Sequence, residues 1–307
     1  MISIVIPLFN KESYIGKTIK SVLLQTFPNF EVWVVDDGST DNSLNVLGSF
    51  SDDRIQVLKQ QHQGVSAARN NGLAKARFDW VAFLDADDWW DPHFLEALVA
   101  IVQLHPELKM VCSGRTRVFE TNEERYENPL LPTEGHFGWV DYFEVIARYG
   151  APPINASNAL IKKKAIQAVG GFRVGQQTYE DHDLWMRLAL QAPLGVFNKN
   201  LSYYRKIQGK KNPFSFNDFY NYLQTIRQVY QQSDTKRKHF LERFSTKFIM
   251  FNGLKFGYGY DSKERKKLLN TSKSFLPGHY RLLLKTFWLL PFHPYPLLRY
   301  FYKSWRR

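Results

Sequence analysis

Three short stretches gather carboxylates in patterns that can do chemistry. They are VDDGS with Asp36 and Asp37, FLDADDWW with Asp85, Asp87 and Asp88, and YEDHD with Glu180, Asp181 and Asp183. The first two close the apolar runs VWVV and WVAFL, so their acid falls at the ends of strands. In an open parallel sheet, ligands bind outside the carboxyl ends of the strands. Carboxylates crowded on that rim repel one another, and a cation, a hydrogen-bonding ligand or both would offset the repulsion. Hard oxygen donors with open positions suit Mg2+ or Mn2+ bridging to substrate phosphates. A carboxylate at a helix start, opposite such a site, is suited to take the proton of an attacking hydroxyl.

Ordinary structure accounts for part of this acid. Asp-Asp-Gly-Ser is also a common turn and helix-cap sequence. Acid at the start of a helix near Glu180 complements the helix dipole. The DADD cluster has no comparable local use, because that much negative charge at the end of an apolar strand is costly unless it is matched.

The elements that must position these groups are legible around them. The runs ISIVI, EVWVV, RIQVL and WVAFL alternate with helix-period stretches at 13–26, 41–50 and 65–77, a βαβαβαβ pattern. Strands that are almost continuously apolar belong in a parallel sheet covered on both faces, with right-handed crossovers. A helix is predicted over 92–105, with Asp91 as N-cap, Pro92 at its first position, and Leu95, Leu98 and Val102 on its buried stripe. KMVCSG reads as a further strand and TNEERYENPLLPTEG as an exposed loop. The helix from Glu180 has Leu184, Trp185 and Leu188 on one side. Beyond Arg205 the pattern is helical, with Phe219, Leu223, Ile226 and Tyr230 on one face and Leu241, Phe244, Phe248 and Phe251 on another.

With 307 residues, 44% of them hydrophobic, the chain has material for one large domain or two modest ones. Cys112 is the only cysteine, which excludes an intramolecular disulfide and suits a reducing compartment. ISIVI is too short and lacks the basic lead-in of an export signal, so a cytoplasmic location is expected. The net charge of +12 hides a division. Residues 205–307 hold 22 Lys and Arg against 5 Asp and Glu, and the preceding 204 residues hold 19 against 24. Two charge characters suggest two jobs.

Taken in order, ISIVIPLFNKESYI, SVLLQTFPNFEVWVVDDGSTDNS, GVSAARNNGL, FLDADDWWDP, GGF at 170–172 and YEDHDLWMRLA resemble a family 2 glycosyltransferase of the bacterial cell-surface polysaccharide type. The resemblance covers about residues 1–205. It implies an α/β chain of the GT-A (nucleotide-diphospho-sugar transferase) fold, with a mostly parallel central sheet over 1–205 and a basic, aromatic α-helical region over 206–307. It implies inverting transfer from a nucleotide-diphosphate sugar, UDP-sugar favoured, to a hydroxyl of a saccharide or lipid-linked acceptor, with Mn2+ or Mg2+. Asp37 would accept from the nucleotide base, with Asp36 nearby and Pro7 to Asn10 lining the pocket. Arg69 would join the donor-binding set, Asp85 would lie near the ribose, and Asp87 would ligate the metal. Asp181 matches the catalytic base, supported by Glu180. Many relatives continue with Tyr-Arg-x-His, where this chain has YYRKIQG and Ile207 in place of the histidine. That leaves the third protein ligand open, with Arg205, Lys206 or Lys210 as phosphate contacts or as solvated loop charges.

Two rival readings fit the same residues. An apolar strand ending in Asp-x-Asp also opens the haloacid dehalogenase pattern, which would make Asp85 a phosphohydrolase nucleophile. A non-catalytic nucleotide-sugar or nucleic-acid binding protein is the other. The basic tail fits an anionic membrane surface better than nucleic acid, because its aromatics sit at helical core spacing and no nucleic-acid module appears. The uncharged stretch FWLLPFHPYPLL, broken by three prolines, is too short to span a bilayer. The expectation is peripheral attachment at the inner face of the cell membrane, with a helical oligomerisation domain as the plain alternative.

Overall fold

The computed structural model describes residues 1–206, 215–256 and 259–289. Its first half follows the expected alternation. The strands are β1 (Ile2–Leu8), β2 (Phe30–Asp36), β3 (Ile55–Lys59) and β4 (Trp80–Phe83). Between them run α1 (Ile15–Leu23), α2 (Ser43–Gly48) and α3 (Val65–Lys75). β1 lies between β2 and β4, all parallel, and β3 extends the sheet beyond β2. Ile4, Val5 and Ile6 are fully buried in succession, as a strand covered on both faces requires. In this register Leu8 pairs with Asp36 and Val5 with Phe83, so the acidic turns after β2 and β4 emerge on one edge.

After β4 come β5 (Trp89–Trp90), α4 (Phe94–Leu104), β6 (Met110–Val118), β7 (Glu123–Arg125), β8 (Phe137–Val140) and α5 (Tyr142–Tyr149). They are followed by β9 (Ala159–Lys162), α6 (Lys163–Ala168), α7 (Glu180–Ala189) and β10 (Leu194–Arg205). The main sheet order is β3-β2-β1-β4-β9-β6-β10-β5, with β7 on β6 and β8 on β10. β9 enters antiparallel between β4 and β6, so the sheet is mixed rather than wholly parallel.

Two local expectations are corrected. α4 begins at Phe94, not Pro92, and Asp91 is not its N-cap. The Asp91 carboxylate instead accepts from the His93 amide at 2.9 Å in a turn that precedes the helix. Leu95, Leu98 and Val102 are buried as expected. The polar stretch 121–135 contains the short strand β7, paired antiparallel with β6. Trp89 and Trp90 form a short strand that pairs with Tyr203 and Ser202 of β10.

The described chain divides into two compact units, residues 1–141 with 153–206 and residues 142–152 with 215–289. The second unit holds α5 together with α8 (Phe216–Gln232), α9 (Thr235–Phe256), α10 (Ser262–Thr271) and α11 (Gly278–Trp288). Phe219, Leu223 and Ile226 of α8 and Leu241 and Phe244 of α9 are buried, while Tyr230, Phe248 and Phe251 are half-buried. Helix starts are marked by side-chain caps. Ser215 Oγ accepts from the Asp218 amide at 3.0 Å, and Asp261 with Glu264 forms a reciprocal capping box at α10.

Candidate active site

The carboxyl edge of β1, β2 and β4 opens into a cleft of about 450 Å³ in the first unit. Of the residues singled out in the sequence, Pro7, Asp37, Arg69, Asp85, Asp87, Glu180, Arg205 and Lys206 line it. Phe9, Lys11, His62 and Tyr204 line it as well. Asn10, Asp36 and Asp181 are not among the lining residues.

At one end, the turn after β2 is built around Asp37. Its carboxylate accepts from Gln60 Nε2 at 2.7 Å and from the amides of Gln63 and Gly64, each at 2.8 Å. His62 Nδ1 lies 3.0 Å from the same group. Asp37 therefore ties the turn to the loop before α3. Gly38 has a φ of +78°, and a Cβ there would come 3.3 Å from the His62 amide nitrogen, which explains the glycine in VDDGS. His62 stacks on Phe9, with ring centres 4.2 Å apart.

Asn10, exposed, and Asp36, buried, serve the turns beside this surface. Asn10 takes a left-handed φ of 50°, uncommon for a residue other than glycine. Its Oδ1 accepts from the Thr40 amide at 2.8 Å, and its own amide donates to Ser39 Oγ at 3.2 Å. Asp36, buried, accepts from the Ser39 amide at 3.2 Å. Both residues hold the loops after β1 and β2 together.

At the other end, the DADD turn distributes its charges among separate partners. Asp85 Oδ1 accepts from Arg69 at 2.6 Å, and Asp87 forms an ion pair with Lys11. Asp88 is buried and accepts from Ser157 Oγ at 2.5 Å and from the Arg205 amide at 3.0 Å. Burial first, and the neighbouring Asp85 and Asp87 charges second, push the Asp88 carboxyl well above the usual carboxylate range. Asp88 thus pins the turn to the end of β10 instead of facing the cleft.

Arg69, on α3, is only 2% exposed, and its second terminal nitrogen donates to Glu180 at 3.0 Å. Burial lifts the Glu180 carboxyl to about 7, Asp181 adds to the rise, and Arg69 opposes it. The residue before this helix, Tyr179, has a φ of 62°, so α7 starts from a strained backbone position. Asp181, half-buried, accepts from the adjacent His182 amide at 2.7 Å. Asp183 is buried and paired with Arg187, whose guanidinium also reaches the Gly171 carbonyl at 2.8 Å. That makes Asp183 an anchor between α7 and the GGF segment.

Among the described residues no group of three or more His, Cys, Asp or Glu is arranged to hold a metal ion. Ile207 and Lys210, considered for the phosphate end, lie outside the described residues. Lys11, His62 and Tyr204 were not singled out in the sequence, and Phe9 entered only within the Pro7–Asn10 segment. Lys11 and Phe9 flank Asn10, and that adjacency was the available signal.

A family profile described as glycosyl transferase family 2 matches residues 3–170. A glycosyltransferase of Nostoc sp. (strain PCC 7120), alr2836, described as uncharacterized, is 44% identical over 222 residues, covering 70% of this chain and 67% of that protein. WfgD of Escherichia coli, a UDP-Glc:alpha-D-GlcNAc-diphosphoundecaprenol beta-1,3-glucosyltransferase, is 40% identical over 103 residues, 33% of this chain and 41% of WfgD. Other curated relatives are matched over as little as 14% of their length. Residues 1–349 of Staphylococcus aureus TarS, in complex with UDP-GlcNAc, superpose with a TM-score of 0.74 at 22% identity, covering 92% of this chain and 83% of that one. The likeness to TarS establishes the GT-A-like architecture expected from the sequence, and the phosphohydrolase reading finds no support. The chain belongs to glycosyl transferase family 2.

Proposed function

We propose that the chain transfers a sugar, with inversion, from a UDP-sugar to a hydroxyl of a saccharide or lipid-linked acceptor in cell-surface glycan synthesis. One observation carries this reading. A single cleft has a stacked aromatic pair beside Asp37 at one end and Asp85 with Asp87 at the other. The flat Phe9 and His62 rings suit a nucleotide base, and the acidic end suits a cation on the diphosphate. The UDP-GlcNAc bound by TarS and the donor in WfgD's name support the choice of nucleotide.

A divalent cation fits the acidic end. Asp87 offers hard oxygens at the cleft, and a cation bound to them would take the place of the Lys11 ammonium, which would then turn to the phosphates. With one carboxylate, the remaining positions would fall to phosphate oxygens and water, as is usual for Mg2+. When bound, Mn2+ or Mg2+ would neutralise the departing diphosphate as a Lewis acid.

The chain's own groups supply the rest. Asp181 is assigned as the base that takes the acceptor proton, and Glu180, held by Arg69, supports it from the same turn. Asp85 faces the ribose, and its grip on Arg69 keeps the two acidic segments in fixed relation. Attack opposite the leaving diphosphate inverts the anomeric centre. We place the chain at an anionic membrane surface, where the exposed Leu282, Leu283 and Leu289 of the α11 region would meet lipid beside Lys285. Among the described residues no helix is long and apolar enough to cross a membrane.

The test is a thermal-shift screen of nucleotide sugars with Mn2+, followed by a transfer assay with the donor that stabilises the chain. Asp87→Ala should lose the Mn2+-dependent stabilisation, and Asp181→Asn should keep it yet transfer nothing. Near-normal turnover by Asp181→Asn would remove it as the base.

A further inference from the structure

At the rim of the cleft, two cations converge on one indole. Lys17 projects from α1, and its ammonium lies 3.1 Å from the centre of the Trp89 ring. The Arg205 guanidinium lies 5.0 Å from the same ring and 4.9 Å from that of Tyr14. Trp89 in turn stacks on Tyr203, with ring centres 5.4 Å apart and planes 4° from parallel. This wall of rings fixes where both charges sit.

Neither cation is balanced. Among the described residues neither Lys17 nor Arg205 makes an ion pair with a carboxylate, although Asp85 and Asp87 on the adjoining rim do so with Arg69 and Lys11. Arg205 donates through Nε to the Asp87 carbonyl at 3.3 Å, a neutral acceptor. The exposed Glu123 of β7 acts on Lys17 from a distance. A ring face attracts a cation but does not cancel its charge. Two like charges over one ring therefore repel each other, and partial desolvation against the ring, with Arg205 adding to it, lowers the pKa of the otherwise exposed Lys17.

The geometry points to a second anion subsite, formed by Lys17 and Arg205 on Trp89, that takes a phosphate group of the acceptor. Arg205 lines the donor cleft and Lys17 does not, so the subsite straddles the rim. Because Arg205 also lines the cleft, a phosphate seated there sits at the edge of the donor pocket, where an acceptor has to enter. The inference rests on the transferase reading, and names phosphorylated acceptors as the class that the same site would select.

The experiment titrates inorganic phosphate into the full chain saturated with UDP and Mg2+, read by 31P line broadening. Phosphate should bind without displacing UDP. Lys17→Ala should weaken phosphate at least fivefold with UDP affinity unchanged, and Lys17→Arg should restore it. Phosphate that competes with UDP, or binds Lys17→Ala as tightly as the parent chain, would overturn the subsite. Phosphatidylglycerol vesicles distinguish the source. A parallel loss of vesicle binding in Lys17→Ala assigns the phosphate to a lipid headgroup, and unchanged vesicle binding assigns it to a saccharide-borne group. A parent chain that binds no UDP would instead sink the transferase reading, and phosphate binding to that chain would still report the subsite.

Discussion

Arg69 and Glu180 meet at 3.0 Å although 111 residues separate them in the chain. The contact joins α3 to the first turn of α7, and the other arm of the same guanidinium holds Asp85. Arg69 is thus the buried link between the turn after β4 and the helix that carries the proposed base. A positive charge on that link lets two acids approach each other without mutual repulsion.

Arg69→Ala should therefore cost more than one interaction. Breaking a buried pair by removing one partner costs about 3–5 kcal/mol, because the remaining charge is left unmatched. Arg69→Lys keeps the charge but lacks the fork that reaches both carboxylates. The expected order in urea unfolding is parent, then Lys, then Ala. Equal stability of the Lys variant and the parent would show that charge alone, not the two-armed bridge, is required.

Glu180 supplies a pH dependence with a definite sign. Burial and Asp181 raise its carboxyl from 4.5 to about 7 in the folded chain. Between those values the native state keeps a proton that the unfolded chain releases. This group's contribution is fully present below about 4.5 and is lost as pH rises through about 7. Glu180→Gln cannot titrate, so the stability of the parent relative to this variant should fall across that interval. Urea unfolding at stepped pH measures it, and a difference that stays flat from 4.5 to 7 would contradict the assignment.

Gly72 gives a packing prediction free of charge effects. A Cβ added there would sit 2.3 Å from Val5 Cγ1 and 3.1 Å from Val35 Cγ2, where α3 crosses β1 and β2. Gly72→Ala should destabilise by about 1–3 kcal/mol through overpacking. Gly48, at the end of α2, meets nothing within 4 Å. Gly48→Ala should be neutral or stabilise by up to about 1 kcal/mol. A similar loss at both sites would mean that glycine's backbone freedom, not space, governs position 72.

What was legible in the sequence follows from distance along the chain. β1 to β4 and their helices were readable because each is a local periodic run, and the DADD turn because charge at the end of an apolar strand stands out. The antiparallel insertion of β9 between β4 and β6 is a choice of partner, which ALIK does not encode by itself. Trp89 and Trp90 became a strand only because β10 returns to pair with them. The site divides in the same way. Asp85 and Asp87 were found by type and spacing, whereas Phe9 and His62 acquire meaning only when two loops meet. Asp36 and Asn10 were placed in the right turns, yet their polar atoms serve those turns' own amides.

The second unit offers a separate test at its α11 end. Leu282 is 66% exposed and Leu289 84%, seven residues apart and so on one face, with the exposed Lys285 between them. Burying a leucine in an apolar phase is worth about 1.5–3 kcal/mol, and a lysine near an anionic surface about 1 kcal/mol. Replacing both leucines by glutamine in the full chain should weaken binding to phosphatidylglycerol vesicles more than tenfold. Melting should change little, since neither side chain is packed. Lys285→Gln should instead reduce the salt sensitivity of binding while leaving the apolar contribution intact. Sedimentation with vesicles at two salt concentrations separates these outcomes. If the double glutamine variant kept the parent's vesicle affinity, the outer face of α11 would not be the membrane contact.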